Sequence, residues 1–185
     1  MKSEDLYIAY FKHQAVNHPD ILHQDVDGQK AFETVDIDEG LDQQRTQVKI
    51  GGYLLQLFHY TYRIGQSSST GEVRKFIQGG FKIARHYEPR ADGQDGYNEA
   101  LRDAERVTDE VLEKMFADSI NGHPLFYWSL NVDQDISVTT EPRYSNGSYA
   151  AKVCIFSFSQ HWRNCITHDD APAWLDGGET PNDLL

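Results

Sequence analysis

Two extended segments rich in aromatic and β-branched residues constrain the fold more than any other feature of this sequence. They are Val48–Ile64 (VKIGGYLLQLFHYTYRI) and Glu72–Tyr87 (EVRKFIQGGFKIARHY), and the polar Gln66–Gly71 (QSSSTG) between them is typical of a flexible turn. At about 3.3 Å per residue the first segment would span more than about 50 Å, which is too long for one ordinary strand. The sequence therefore predicts an oversized antiparallel hairpin that extends beyond the core.

Aromatic side chains fall on both faces of the first segment. Strict alternation places Tyr60 and Tyr62 on one face, and Tyr53 and His59 on the other. A core made by this chain alone accommodates both faces only if helices cover each of them. We favour burial against other subunits, because aromatic side chains are enriched at interfaces and the hairpin tip is polar.

Two helices are predicted around this hairpin. Tyr97–Asp118 carries one apolar stripe at near-3.6-residue spacing opposite a charged face, and the sequence Asn-Gly-His-Pro over residues 121–124 ends it. A shorter amphipathic helix is predicted over residues 3–16. Turn-forming residues predict a loop over residues 88–96, and a second short helix is possible over Glu39–Gln47.

Further strands complete the predicted architecture. A weak strand is predicted at Ala31–Val35, another at Leu125–Val132 with a continuation through Ile136–Thr140, and a last one at Tyr149–Ser159, preceded by an Asn-Gly turn at 146–147. This order predicts an α+β fold: an antiparallel β-sheet or sandwich with a long hairpin, one main amphipathic helix packed on the sheet and a short N-terminal helix. Residues 1–160 are predicted to form one domain, and residues 161–185 an extended C-terminal arm.

Charge and composition limit the partners that this chain can have. The 185 residues include 17 basic and 29 acidic side chains, for a net charge of −12, and no basic cluster is available to neutralise phosphates. Specific binding to DNA or RNA is therefore not expected. Acidic residues stand near the N-terminus where a signal peptide has basic ones, and no apolar run approaches the roughly 20 residues of a membrane span. The chain is expected to be made in a cytoplasm and to stay soluble.

No motif predicts a catalytic, cofactor-binding or metal site. His13, His18 and His23 recur every five residues, which rotates them off a common helix face, and the consecutive His168, Asp169 and Asp170 stand in a tail rich in helix breakers. The sequence contains neither a G-x-S-x-G nucleophile elbow nor a glycine-rich phosphate loop. We predict that the protein is not an enzyme and needs no cofactor.

The order of elements resembles that of the tail-terminator and tail-completion proteins of long-tailed bacteriophages. Three segments carry the resemblance: Tyr97–Asp118 (YNEALRDAERVTDEVLEKMFAD), Phe126–Val138 and Tyr144–Phe158 (YSNGSYAAKVCIFSF). The resemblance covers roughly residues 48–160, is one of pattern, and involves no diagnostic motif. Residues 17–47 and the tail after Ser159 depart from the compact members of that group.

The resemblance implies a structural virion protein at the phage neck, made in the host bacterial cytoplasm. Such a protein would form a homohexameric ring that terminates the tail tube and joins it to the head connector, with DNA passing through the lumen without specific binding. Its partners would be copies of itself, the tail-tube protein and neck proteins. The residues that we predict at subunit interfaces are Tyr60, Tyr62, Phe76, Phe81, Trp162 and Trp174.

Two other functions remain open from the sequence. One is a different virion component of related architecture, either a head-closure ring or a tail-tube subunit. The other is a small metal-dependent enzyme that uses the histidine-rich start of the chain or its tail.

Overall fold

The structure, a computed structural model, describes residues 3–35, 52–66, 71–126, 130, 136–141 and 148–161. The elements in chain order are α1 (Ser3–Asn17), β1 (Phe32–Val35), β2 (Tyr53–Gln66), β3 (Val73–His86), α2 (Pro89–Ile120), β4 (Ile136–Thr140) and β5 (Tyr149–His161). The five strands form one sheet in the order β1-β2-β3-β5-β4. The predicted α+β class and the long β2–β3 hairpin are confirmed.

One strand pair differs from the predicted antiparallel sheet, which makes the sheet mixed. β1 runs parallel to β2, with Phe32 opposite Leu55 and Val35 opposite Phe58, whereas the other three pairs are antiparallel. A parallel pair needs a long crossover connection, and residues 36–52 provide that length between the two strands. The predicted antiparallel pairing therefore holds for every neighbouring pair of described strands except this one.

Both helices pack on one face of the sheet, which we call the helix face; the opposite one is the far face. The core between helices and sheet contains Tyr7 and Phe11 from α1, and Val111 from α2, against strand residues such as Leu55. Completely buried side chains on the sheet side of this core are Leu57, Ile77, Phe81, Ile83 and Phe156. Because each large apolar side chain contributes roughly 1.5–3 kcal/mol when buried, this layer dominates the stability of the fold.

α2 begins earlier than predicted. The helix from Tyr97 to Asp118 is confirmed, but the predicted loop over residues 88–96 is wrong, because helix already starts at Pro89. Proline suits the first helical position, where its missing N–H costs nothing. Gly93, with φ 59° and ψ −143°, kinks the helix within this first segment. Glycine adopts positive φ readily and is therefore common in turns, which is why the sequence indicated a loop here. The predicted end at Asn121 is confirmed.

The remaining sequence predictions divide between described and undescribed residues. The strand predicted to begin at Leu125 instead opens with a turn over residues 124–126, in which the Phe126 N–H donates to the His123 carbonyl (3.0 Å). Its predicted continuation, Ile136–Thr140, is β4. The possible helix at Glu39–Gln47, the 146–147 turn and the arm after His161 lie outside the described residues. Neither of the described helices combines the length and apolar character needed to cross a bilayer.

Candidate interaction surface

The β2–β3 hairpin divides into an inner and an outer half. Side chains from Tyr53 to Phe58 in β2 are buried, whereas from His59 onward most are exposed. β1 reaches along β2 only as far as Phe58, so the parallel support ends where exposure begins. We call residues 59–66 together with residues 72–78 the hairpin finger.

Tyr7 from α1 contacts the hairpin where the finger joins the inner half, at Phe58 and Gly80; we call this place the root of the finger. The Tyr7 hydroxyl lies 3.2 Å from the Phe58 carbonyl and 3.3 Å from the Gly80 carbonyl, and it accepts a hydrogen bond from the Gly80 N–H (3.2 Å). A Cβ atom added at Gly79 would lie 2.6 Å from this hydroxyl oxygen. Burial raises the pKa of the Tyr7 hydroxyl, which keeps it a neutral donor and acceptor at ordinary pH. Gly79 therefore makes room for Tyr7, and β3 continues through Gly79 and Gly80 without interruption.

A β-bulge at the same place reverses the sides of β2. Phe58 lies opposite Gly80, but Thr61 lies opposite Gln78, so β2 advances by one residue more than β3. Before the bulge Leu55 and Leu57 occupy the helix face, and after it Tyr60 packs against that same core. Strict alternation from Leu57 would have placed Tyr60 on the far face, as the sequence analysis assumed.

The helix face of the finger combines tyrosines with a lysine. The Tyr60 ring packs edge-on against Tyr7 at a centroid distance of 5.2 Å, and Tyr62 follows it at 6.3 Å. Lys75 Nζ lies 4.1 Å from the Tyr62 ring centroid and 4.9 Å from that of Tyr60, and it donates to the Tyr60 hydroxyl (3.2 Å). Lys75 is only 6% exposed, whereas Tyr62 is 57% exposed. The ammonium group therefore fixes the inner side of an aromatic surface whose outer side faces solvent.

The far face of the finger carries two arginines. Arg63 stands opposite Phe76, and its guanidinium carbon lies 4.6 Å from the centroid of that ring. Gly65, the next position on this face, stands opposite Arg74. A Cβ atom at Gly65 would meet Phe76 at 3.5 Å, an ordinary contact, so the stacked pair lies close to the backbone.

The predicted interface residues have three different fates. Tyr60 and Tyr62 lie side by side on the helix face of the finger, and Phe76 lies on its far face. Phe81 lies instead in the inner half of β3 at 0% exposure, packed against Phe11 (centroids 5.6 Å) and within the helix-face core, so it has no surface to offer to a partner. Trp162 and Trp174 lie outside the described residues.

The finger's basic residues, Arg63, Arg74 and Lys75, were not predicted from the sequence as part of this surface. Arg63 and Lys75 both contact aromatic rings. A cation directly opposite an aromatic residue on the paired strand, as in Arg63 and Phe76, is the signal that could have found them.

One cluster in the described residues has the composition of a metal site. Ligand atoms of His18, Asp20 and Glu110 lie within 4.8 Å of one another. However, His18 Nδ1 accepts a hydrogen bond from the Asp20 backbone N–H (3.2 Å), so the proton of the neutral ring is on Nε2, the atom that faces Glu110 at 2.9 Å without hydrogen-bond alignment. The guanidinium of Arg106 binds both carboxylates at 2.7 Å. Asp20 and Glu110 raise the pKa of Arg106, and the cluster acts as a polar bridge between the turn after α1 and α2.

The other candidate reactive groups also have structural partners. His23 is buried, accepts a hydrogen bond from the Ala31 N–H at Nδ1 (3.0 Å) and contacts Asp25 through Nε2 (3.1 Å), so it ties together the loop before β1. Burial raises the pKa of the Cys154 thiol to about 12, with a smaller contribution from Asp109, and the thiol stays protonated at neutral pH. His13 lies exposed on α1. His168, Asp169 and Asp170 in the tail lie outside the described residues.

The finger and the sheet that supports it define an α+β protein with a projecting, aromatic and basic hairpin on an otherwise acidic chain. No protein-family model matches this sequence, and no curated protein matches it.

Proposed function

We propose that this protein is a structural subunit that assembles with copies of itself through the hairpin finger. The observation that carries the proposal is the exposed apolar row on the helix face of the finger. Tyr62 is 57% exposed, Ile64 49% and Val73 45%, and the strand register places all three on one side at one end of the hairpin. Single exposed apolar side chains are common, but a row at the end of a projecting hairpin is typical of a protein interface.

The assembly that we propose is a homohexameric ring at the neck of a long-tailed bacteriophage, where it terminates the tail tube and joins it to the head connector. The order of helices and strands supports this role through its resemblance to tail-terminator proteins. A projecting finger that contacts a different surface of the next copy makes a heterologous contact, which closes into a ring when the rotation permits. The net charge of −12 supports passage of DNA, because an acidic lumen offers no ion pairs to phosphates.

A metal-dependent enzyme receives less support from the described residues. The cluster at His18 presents a protonated nitrogen and two carboxylates already bound to Arg106. Metal analysis of the purified protein tests this alternative directly: a stoichiometric transition metal would favour it.

Native mass spectrometry and negative-stain electron microscopy of the full chain test the proposed assembly. We expect closed rings with six times the mass of the 21.2 kDa chain. Tyr62→Ser should weaken the ring, since it removes exposed apolar surface from the finger. Ile120→Ser, at a 74% exposed position at the end of α2, is the matched control and should leave the ring intact. A monomer throughout a concentration series would contradict the proposal, and open tubes would favour the tail-tube alternative.

A further inference from the structure

The two arginines on the far face of the finger form a preorganised pair. The guanidinium of Arg63 stacks on Phe76 at 4.6 Å, which leaves the N–H groups at its edge directed away from the ring. Stacking reduces the conformational freedom that an exposed arginine loses when it binds a carboxylate. Arg63 is therefore held ready for an anionic partner.

Arg74 adds a second cation with an unsatisfied donor. It is the diagonal neighbour of Arg63, because Arg63 pairs with Phe76 and Gly65 pairs with Arg74. Its Nε atom is buried and has no acceptor among the described residues. The Arg74 side chain as a whole is only partly buried, so part of it remains in solvent beside Arg63 and is available to an anionic partner.

The exposed face of α2 offers a matching set of carboxylates. Glu105, Asp109 and Glu113 recur every four residues, which places them in one row on the helix, and all three are exposed. Glu105 pairs with Lys152 (2.9 Å). Asp109 and Glu113 are like charges one turn apart, an arrangement that destabilises a helix unless cations bind nearby.

The spacings of the two surfaces agree. Side chains at i and i+4 of a helix have Cβ atoms about 5–6 Å apart. Diagonal neighbours on paired strands are about 7–8 Å apart or somewhat closer at Cβ, and flexible arginines cover the difference. Two carboxylates one turn apart can thus each bind one guanidinium.

We propose that Arg63 and Arg74 of one copy bind Asp109 and Glu113 on α2 of the next copy. This inference rests on the proposed self-assembly and names its contact surfaces. Because the finger and α2 are different surfaces of the same molecule, the contact repeats head to tail rather than as a two-fold pair. The arginine pair then supplies orientation, and the tyrosine side of the finger supplies apolar burial.

The charge distribution favours a second copy as the occupant. The finger carries three of the 17 basic residues and only one of the 29 acidic ones, so the rest of the chain is strongly acidic. A basic finger on an acidic protein is complementary to the protein itself. A nucleic acid is a poorer fit, because two surface arginines neutralise few phosphates and the acidic remainder repels the strand.

A charge exchange in the full-length protein tests this contact. We expect Arg63→Glu with Arg74→Glu to raise the dissociation constant of the assembly by at least about 100-fold, since two charge pairs become repulsive. Asp109→Arg with Glu113→Arg should do the same. Combining all four substitutions should restore assembly to within about tenfold of the wild type, as measured by sedimentation velocity at low salt.

Controls separate this contact from general charge effects and from misfolding. Arg90→Glu reverses an exposed arginine in the first turn of α2, outside both proposed surfaces, and should leave assembly unchanged. Far-UV circular dichroism spectra should be those of the wild type for every variant, which shows that the fold is kept; melting midpoints are not used, because loss of assembly lowers them by itself.

The results distinguish the proposed contact, the proposed self-assembly and a nucleic-acid partner. Rings that tolerate both charge reversals overturn this contact and leave the proposed self-assembly standing. Loss of assembly without rescue in the fourfold variant shows that the arginines bind a different surface, and it overturns the role of α2. Binding of duplex DNA that depends on Arg63 and Arg74 identifies a nucleic acid as the occupant. A wild-type monomer overturns both proposals.

Discussion

The two halves of the β2–β3 hairpin are similar in composition and opposite in environment. The inner half buries Phe58 and Phe81 in the chain's own fold, whereas the outer half leaves Tyr62 57% exposed. The difference arises from what lies beside each half: the parallel strand β1 ends opposite Phe58, and the bulge follows directly. The aromatic content of a strand therefore does not show whether the strand is buried within its own chain, because burial depends on the elements that lie beside it.

Two buried lysines, one in each half of β3, show the same difference in environment between the inner and the outer half. In the inner half of β3, Lys82 is 2% exposed and binds the Glu141 carboxylate at 2.9 Å. In the outer half, Lys75 is 6% exposed and lies against the rings of Tyr60 and Tyr62. The inner cation is compensated by an opposite charge, and the outer one contacts two aromatic rings and the Tyr60 hydroxyl.

The largest expected effect is from Phe81→Ala. It removes a completely buried ring and should lower the free energy of unfolding by about 3–5 kcal/mol, measured by urea denaturation. Tyr62→Ala, in the outer half, should change the same quantity by about 0.5 kcal/mol or less, because that ring is largely exposed. Comparable losses in the two variants would mean that the halves do not differ as described.

Removing the two lysines should give unequal losses of stability. Lys82→Met deprives the Glu141 carboxylate of its ammonium partner and should cost about 3 kcal/mol, whereas Lys75→Met should cost about 1 kcal/mol through the lost cation–π contacts. The double variant Lys82→Met with Glu141→Leu should recover most of the loss, because no buried charge remains. Thermal denaturation of the three variants measures these losses of stability. A larger loss for Lys75→Met than for Lys82→Met would contradict the expected difference between the two lysines.

Glycine substitutions in the two halves of the hairpin should also differ in their effect on stability. A Cβ atom at Gly80 would lie 2.8 Å from the Cys154 carbonyl oxygen and 2.9 Å from the Phe58 ring, so Gly80→Ala should cost about 2 kcal/mol. Gly65→Ala introduces only an ordinary contact with Phe76 at 3.5 Å and should be neutral or slightly stabilising. Denaturant midpoints for the pair check this; equal costs would remove the steric explanation for the inner glycine.

Tyr7→Phe should have a smaller effect than the substitutions of Phe81, Lys82 and Gly80. Loss of the hydroxyl deprives the Gly80 N–H of its acceptor and should lower the free energy of unfolding by about 1 kcal/mol. Amide hydrogen exchange should accelerate at Gly80. Tyr62→Phe is the control, since its ring is mostly in solvent, and unchanged exchange at Gly80 in Tyr7→Phe would show that the hydroxyl does not support the root of the finger.

Local patterns predicted the parts of the fold that depend on periodicity. The main helix, β5 and the long hairpin follow from apolar and aromatic spacing in the sequence. Features that depend on tertiary contacts were missed. The parallel pairing of β1 joins strands that are separated by residues 36–52 in the sequence, and the bulge lies beside Tyr7, which is distant in sequence from β2.

For the same reason, the sequence predicted only part of the candidate surface. Tyr60, Tyr62 and Phe76 were selected for their aromatic side chains and lie in the finger, on two opposite faces, but the same criterion selected Phe81, a core residue. Aromatic content cannot distinguish the two environments, because both need a dry surface. The pairing of Arg63 with Phe76 requires the strand register, which the turn composition did not define.

The bulge beside Phe58 has a consequence for how this hairpin could evolve. Two residues of β2, His59 and Tyr60, stand opposite Gly79 alone, so the extra residue lets both halves of β2 match a continuous β3. Deleting one of these two residues would remove the bulge, while Thr61 and every later residue of β2 kept its partner in β3 and its face. A one-codon deletion beyond Thr61 would instead move the rest of β2 to the opposite face, so the finger tolerates a change of length at the bulge and not further along the strand.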